Sequence, residues 1–216
     1  MSHPLKPLLL CTLVLLFTGC SNVYYGAMEK VGVHKRDILV DRVQAARDSQ
    51  EKTKEQFTSA LEHFSSVVNF QGGALEEKYF ELKDELERIE KQAAEVRQRI
   101  EAVEDVAEAL FDEWEDELDQ YSNASLRRAS EQQLRQTRRQ YTKLIRAMKK
   151  AEAKIDPVLR PLRDQVLFLK HNLNARAIAS LQTELTRIET DVSRLIREME
   201  RAMEEADSFI QVMKPE

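Results

Sequence analysis

Two long stretches of the chain place an apolar residue every three or four positions. One runs Leu75, Tyr79, Leu82, Leu86, Ile89, Ala93, Val96, Ile100, Val103, Ala107, Leu110, Trp114. The other runs Ile178, Leu181, Leu185, Ile188, Val192, Leu195, Met199, Ala202, Ala206, Phe209, Met213. A mean spacing of roughly 3.5, held over about five heptads, predicts helices packed in the manner of a coiled coil. Past Trp114 the first stripe resumes at Leu118 and Tyr121, out of phase, so the supercoil should relax there.

Two other stretches are less regular. Leu39, Val43, Ala46, Phe57, Ala60, Phe64 and Val67 share a stripe interrupted by Gln50 and Thr53. These polar positions either fix register or mark a wet patch, and the wet patch is the preferred reading. The last stripe runs Leu134, Thr137, Tyr141, Leu144, Met148, Ala151, Ile155, Val158, Leu162, Val166, Leu169, Leu173.

Turn residues separate the four stripes. Gln71-Gly72-Gly73 is a stop, because paired glycines favour turns. Ser122-Asn123-Ala124-Ser125 is a second turn, with Ser125 as expected N-cap, and His171-Asn172-Leu173-Asn174 is a third, with Asn174 as N-cap. Asp156-Pro157, followed by Pro161, is a rival place for the third turn. A turn there would leave helices of unequal length, so the prolines are read as a kink or local break inside one arm. The segments are then about 46, 48, 48 and 39 residues, as an antiparallel bundle with short connections requires. The expected fold is all-α, an elongated antiparallel four-helix bundle with coiled-coil-like packing, each arm roughly 70 Å long.

The first residues tell where such a bundle would sit. Met1 to Pro7 carries one firm positive charge, Lys6, and no acid. Leu8 to Phe17 is apolar for about ten residues, whereas a membrane span needs roughly 20. Short length, a basic lead and small residues before a Cys suit a cleaved export signal. Phe17-Thr18-Gly19-Cys20 resembles the bacterial lipobox, with Phe17 where an aliphatic residue is usual. That resemblance implies cleavage before Cys20, lipidation of Cys20 and, with Ser21 rather than Asp next, retention in the outer membrane facing the periplasm. A plain signal peptide cut without lipid attachment is the alternative. Residues 1–19 are thus read as signal peptide, 20–26 as lipidated tether and 27–214 as the helical domain. Cys11 is removed with the signal, so no disulfide is expected and the core alone must hold the fold.

Composition agrees: 33% of residues are charged, with five Gly, five Pro and a net charge of −5 in 216 residues. That suits long exposed helices. The charges are segregated. Glu101, Glu104, Asp105, Glu108, Asp112, Glu113, Glu115, Asp116, Glu117 and Asp119 form a block free of Lys and Arg. Arg127, Arg128, Arg135, Arg138, Arg139, Lys143, Arg146, Lys149 and Lys150 follow it. Alone, the basic block suggests nucleic acid or an acidic lipid surface. Folded as a hairpin about Asn123 the blocks face each other, with Asp119 near Arg127, Asp112 near Arg135, and Glu108 near Arg138 and Arg139. The expected role of the charges is therefore selection of register, each exposed pair adding only about 0 to 1 kcal/mol.

Little points to chemistry. A di-metal bundle needs Glu-x-x-His pairs, but Val31, Ala60 and Phe168 stand three residues before His34, His63 and His171. Phosphate loops, zinc spacings and Gly-x-Ser-x-Gly are absent from the sequence. Trp114, Phe111 and Tyr121 read as core filling. No catalytic residue, cofactor or metal ligand is nominated; the one site residue is Cys20, for lipidation.

The stretches "YYGAMEKVGVHKRDILVDRVQAARDSQ", "FSSVVNFQGG", "VEDVAEALFDEWEDELDQYSNASLRRASE" and "DQVLFLKHNLNARAIASLQTEL" resemble a proteobacterial family catalogued as domain of unknown function 2959. The resemblance runs from about Tyr24 to Phe209. It implies an exported or lipid-anchored, helix-rich protein, and it carries no functional residues because the family has no assigned activity. Some members bear the label DNA repair ATPase, for which this sequence has no nucleotide motif. The expected role is structural or protein-interacting, in an outer-membrane lipoprotein that is not an enzyme. Its partners would be the membrane, through the lipid, and an unknown envelope protein, with no nucleic acid; a homo-oligomer stays open. The alternative is an envelope accessory protein that binds a lipid or other hydrophobic ligand between helices. A large apolar cavity would favour that alternative, and a filled seam the structural module.

Overall fold

The stripes set the helices, and the turn residues set their ends. The computed structural model describes Tyr25, Met28, residues 32–70, Gly72 and residues 75–214, with the side chains of 175–177 outside the description. The expected signal peptide and Cys20 fall outside the described residues. Among the described residues four long helices follow one another: α1, Lys35–Val68; α2, Leu75–Leu118; α3, Ala124–His171; α4, Ala175–Met213. No strand occurs among the described residues.

Each helix packs against its neighbours in sequence, and α4 closes the bundle against α1. Ion pairs mark the antiparallel register: Lys35 to Glu113 at 2.8 Å between α1 and α2, Arg97 to Asp156 at 2.9 Å between α2 and α3, Arg47 to Asp207 at 3.2 Å between α1 and α4. The start of α1, the α2–α3 turn and the end of α4 therefore share one end of the bundle, the near end. The α1–α2 and α3–α4 turns form the far end.

The predicted stripes become the core. From α2, Leu82, Ile89, Ala93, Val96, Ile100, Val103 and Ala107 are buried; from α4, Leu181, Ile188, Val192, Leu195, Met199, Ala202, Ala206 and Phe209. Phe57 and Phe64 of α1 and Leu144, Met148 and Ile155 of α3 complete it. Removing such a side chain from water stabilises the fold by about 1.5–3 kcal/mol.

The third turn lies at Asn172, and α3 continues through Pro157 and Pro161. A proline inside a helix costs ~3 kcal/mol, because it orphans the carbonyl four residues earlier and crowds the preceding turn. Here Pro157 and Ala153, whose carbonyl it orphans, are both exposed, so water can meet that carbonyl. Ile155, Val158, Leu159 and Leu162 are buried around the prolines and hold the helix in place.

The cap of α3 differs from expectation. Asn123, not Ser125, is the N-cap: its Oδ1 accepts from the Ser125 N–H at 2.9 Å and the Leu126 N–H at 3.3 Å. Ser125 lies inside the helix and its hydroxyl also donates to Asn123. At α4, Asn174 directly precedes the helix and its carbonyl accepts from the Ile178 N–H, as the sequence suggested. Between α1 and α2, Gly72 has φ +125°, a conformation that L side chains rarely adopt.

Candidate functional site

A filled helical rod offers few places for chemistry, and three features depart from the regular pattern: polar side chains inside the core, a cavity at the near end, and charged faces.

The polar positions of α1 are dry. Gln50 and Thr53 are 0% exposed, which overturns the wet-patch reading. They sit on the same stripe as Ala46 and Phe57, so the packing that buries those residues carries them inside. Thr53 satisfies its hydroxyl locally, donating to the Ser49 carbonyl at 2.7 Å. Ser49 Oγ and both polar atoms of the Gln50 amide have no hydrogen-bond partner among the described residues. Such a group costs about 1–3 kcal/mol when left unmade.

Glu85 on α2 is the opposite case, and the sequence pattern hid it. It is 1% exposed, yet its carboxylate accepts from Arg88 Nε at 3.0 Å and from Gln56 Nε2 of α1. Burial alone would push its carboxyl up. Hydrogen bonds from Arg88, Gln56 and Ser59, with the Arg88 charge, outweigh that and hold it below the usual range. It lies next to Leu86 in sequence, one step off the apolar stripe, and nothing in spacing alone marks it.

The near-end cavity has a volume of about 340 Å³ and draws on all four helices. Leu110 and Trp114 of α2 and Val212 and Met213 of α4 give it apolar walls. Arg36, Glu113, Glu117 and Gln133 make its polar rim. Two of these already have partners: Arg36 Nε donates to the Met213 carbonyl at 2.7 Å, and Glu113 pairs with Lys35. The Arg36 contact places a cation at the C-terminus of α4, where the helix dipole favours it. Thr137 of α3 lines the same cavity, is 0% exposed, and its hydroxyl has no partner among the described residues. The volume is at the lower end for small-molecule sites.

The aromatic trio divides. Phe111 is buried, edge-on to Tyr141 at 5.4 Å, as expected of core. Trp114 is half-buried on the cavity wall and donates its indole N–H to Ser130 Oγ at 2.8 Å. Tyr121 is exposed, which corrects its assignment to the core; it lies in the turn beyond the end of α2, where no seam continues. Burial, with Glu104 and Glu108 nearby, pushes the Tyr141 phenol up to about 12.

The hairpin charges pair only in part. Arg127 meets Asp119 at 2.8 Å, as predicted, and Lys149 meets Glu104. Arg138 pairs with Glu115 rather than Glu108, and its guanidinium lies 5.1 Å from the Phe111 ring centre. Arg135 turns to Glu131 on its own helix instead of Asp112. Glu108 and Asp112 lie on the outer side of α2, beyond the line along which the two helices touch.

His34 is exposed before α1, His63 is half-buried with Nδ1 3.8 Å from Glu81, and His171 ends α3 in solvent. Among the described residues, no group of three or more His, Cys, Asp or Glu is placed to hold a metal ion. No described helix is long and apolar enough to cross a membrane.

The family model for a protein of unknown function, DUF2959, matches residues 24–213. No curated protein and no solved structure matches the chain.

Proposed function

The chain belongs to the DUF2959 family, and on that premise we propose that it is an outer-membrane lipoprotein whose periplasmic bundle is a structural or protein-interaction module without catalysis. One observation supports the module above all: the apolar seams of all four arms are used in packing those arms together. Arms packed together in this way suit a part that holds things apart or together. The lipobox-like Phe17-Thr18-Gly19-Cys20 supports the anchor. Several acyl chains, at about 0.8 kcal/mol per buried methylene, would hold the rod to the membrane. Replacing Cys20 by Ala should abolish labelling by a radioactive fatty acid and release the protein from membranes. Unchanged anchoring would defeat the reading.

A second reading has one observation in its favour. The near-end cavity combines apolar walls with the unpartnered Thr137 hydroxyl, a fit for a small amphipathic ligand. Trp114 lines it and is the one Trp of the chain, so its fluorescence is a direct probe. Titration with a medium-chain fatty acid should give a saturable change, weakened by Thr137→Val, if the cavity binds ligand. A flat titration would leave the module alone.

A further inference from the structure

We propose that the outer faces of α2 and α3 form an interface between two copies of this chain, arranged in parallel about a two-fold axis. The proposal starts from the charges that the hairpin leaves over. On α2, Glu101, Asp105, Glu108, Asp112 and Asp116 are exposed. None of them forms an ion pair with another described residue, and at about 100° per residue they lie within about 80° of one another. On α3, Arg128, Arg135, Arg139 and Arg146 lie within about 40° on the side opposite Leu134, Leu144 and Met148. All four are exposed, and among the described residues only Arg135 has an acidic partner, Glu131. No Asp or Glu occurs between Glu131 and Glu152.

One side of the bundle thus carries an acidic stripe beside a basic one, at the same height. The cross-hairpin pairs Glu104 with Lys149 and Glu115 with Arg138 fix that height. Glu108 is level with the region of Arg146, and Asp112 with the region of Arg139.

Geometry then selects the arrangement. A two-fold axis parallel to the helices keeps height and exchanges left for right, so α2 of one copy faces α3 of the other. Glu108 then meets the partner's Arg146, and Asp112 meets the partner's Arg139, each contact made twice. A two-fold axis across the helices would set α2 against α2, acid on acid. The stripes therefore specify parallel copies, and complementarity of this kind fixes register and partner.

The face is large enough. α2 and α3 run side by side for about 60 Å, and a face roughly 20 Å wide exceeds the ~800 Å² a side of a standard interface. Further along the same two helices, Phe80 is 50% and Leu167 61% exposed, apolar surface that a second copy would cover. Parallel copies also start α1 at the same end, as two chains tethered to one membrane require. The orientation follows from the charges and does not rest on the lipid anchor, so failure of one reading leaves the other standing.

Light scattering on the full chain in mild detergent, at roughly 10 μM and low salt, should give twice the polypeptide mass, falling toward the monomer as salt screens the stripes. Glu108→Lys with Asp112→Lys, and separately Arg139→Glu with Arg146→Glu, should each give monomers with unchanged helical content. Mixing the two variants should restore a dimer, because each reversed face then meets its complement; a misfolded variant could not do this. Spin labels on Leu167→Cys should report a pair distance of roughly 15–25 Å, because α3 of each copy lies diagonally across from α3 of the other, whereas copies packed antiparallel over the charged half would hold the two sites roughly 70 Å apart. A monomeric wild type, or dimers indifferent to both reversals, would overturn the proposal. So would a monomer that binds phosphatidylglycerol vesicles through Arg139 and Arg146, which would assign the basic stripe to a lipid surface.

Discussion

Gln50 on α1 and Glu85 on α2 are equally hidden from water, and they are treated in opposite ways. Glu85 carries a full charge into the interior and is met by Arg88, Gln56 and Ser59. Gln50 carries only an amide, and neither end of it is met. The difference is position on the helix. Glu85 lies where α1 and α2 meet, close to the edge of the seam: Arg88, one turn along, keeps its head in solvent while reaching back. Gln50 is central in its stripe, between Ala46 and Thr53, and the Thr53 hydroxyl is already given to the Ser49 carbonyl. A buried charge at an edge borrows partners from the surface; a buried amide at the centre has none within reach. The first ties α1 to α2 in one register, and the second costs stability.

The largest effect should come from breaking the satisfied site. Glu85→Ala should lower unfolding free energy by about 3 kcal/mol, since it removes charge-assisted hydrogen bonds and leaves Gln56 without its acceptor. Denaturant unfolding followed by circular dichroism would measure it, and a loss within error would mean the contacts are incidental. The pH dependence has a definite sign. Glu85 has a folded pKa below its unfolded value, so its contribution is present above the unfolded pKa of about 4.3 and fades as pH falls through the folded value. The wild type's advantage over Glu85→Gln should therefore shrink on going from neutral to strongly acidic solution. A constant gap would show that the carboxylate is no better stabilised folded than unfolded.

Gln50→Leu tests the unsatisfied site and should act in the other direction. Similar volume without the amide removes a desolvation cost, and stability should rise by about 2 kcal/mol. The same chemical denaturation experiment reads it. A destabilised variant would mean that the amide does make its hydrogen bonds in solution, and the contrast with Glu85 would collapse.

Much of this architecture could be read in advance from spacing, because burial in a bundle follows a period. The stripes of α2 and α4 announced themselves, and Gly72 and Asn172 placed two turns correctly against the rival at Pro157. What spacing could not give was the outcome of local competition. Ser125 and Asn123 are both good caps, and only the backbone decides which carboxamide or hydroxyl reaches the free N–H groups. Gln50 looked polar and therefore wet, but a position on the stripe is buried by its neighbours whatever its own preference. Glu85 reversed the error: its burial depends on Gln56 and Ser59, far away in sequence. The Glu108 and Asp112 pairings failed for a related reason, since linear distance from a turn gives height along the hairpin but not the side of the helix.

Thr137 offers the smallest and finest test of the contrast, because it shares features of both sites. Like Gln50 it is fully buried with an unmet polar atom; like Glu85 it stands beside a route to the surface, the near-end cavity. Thr137→Val removes the hydroxyl at nearly constant shape. If the hydroxyl is simply unmet, stability should rise by about 1 kcal/mol, less than for Gln50 because one small group is involved rather than a whole amide. If solvent entering the cavity meets it, the gain should vanish. Comparing the melting curves of Thr137→Val, Gln50→Leu and the double variant would separate the cases. The two sites lie on different helices and share no described partner, so their effects should add. Additive gains would establish the unmet hydrogen bond as the common cause; a gain at Gln50 alone would show that closeness to the cavity, not burial, decides which polar atoms this bundle can keep.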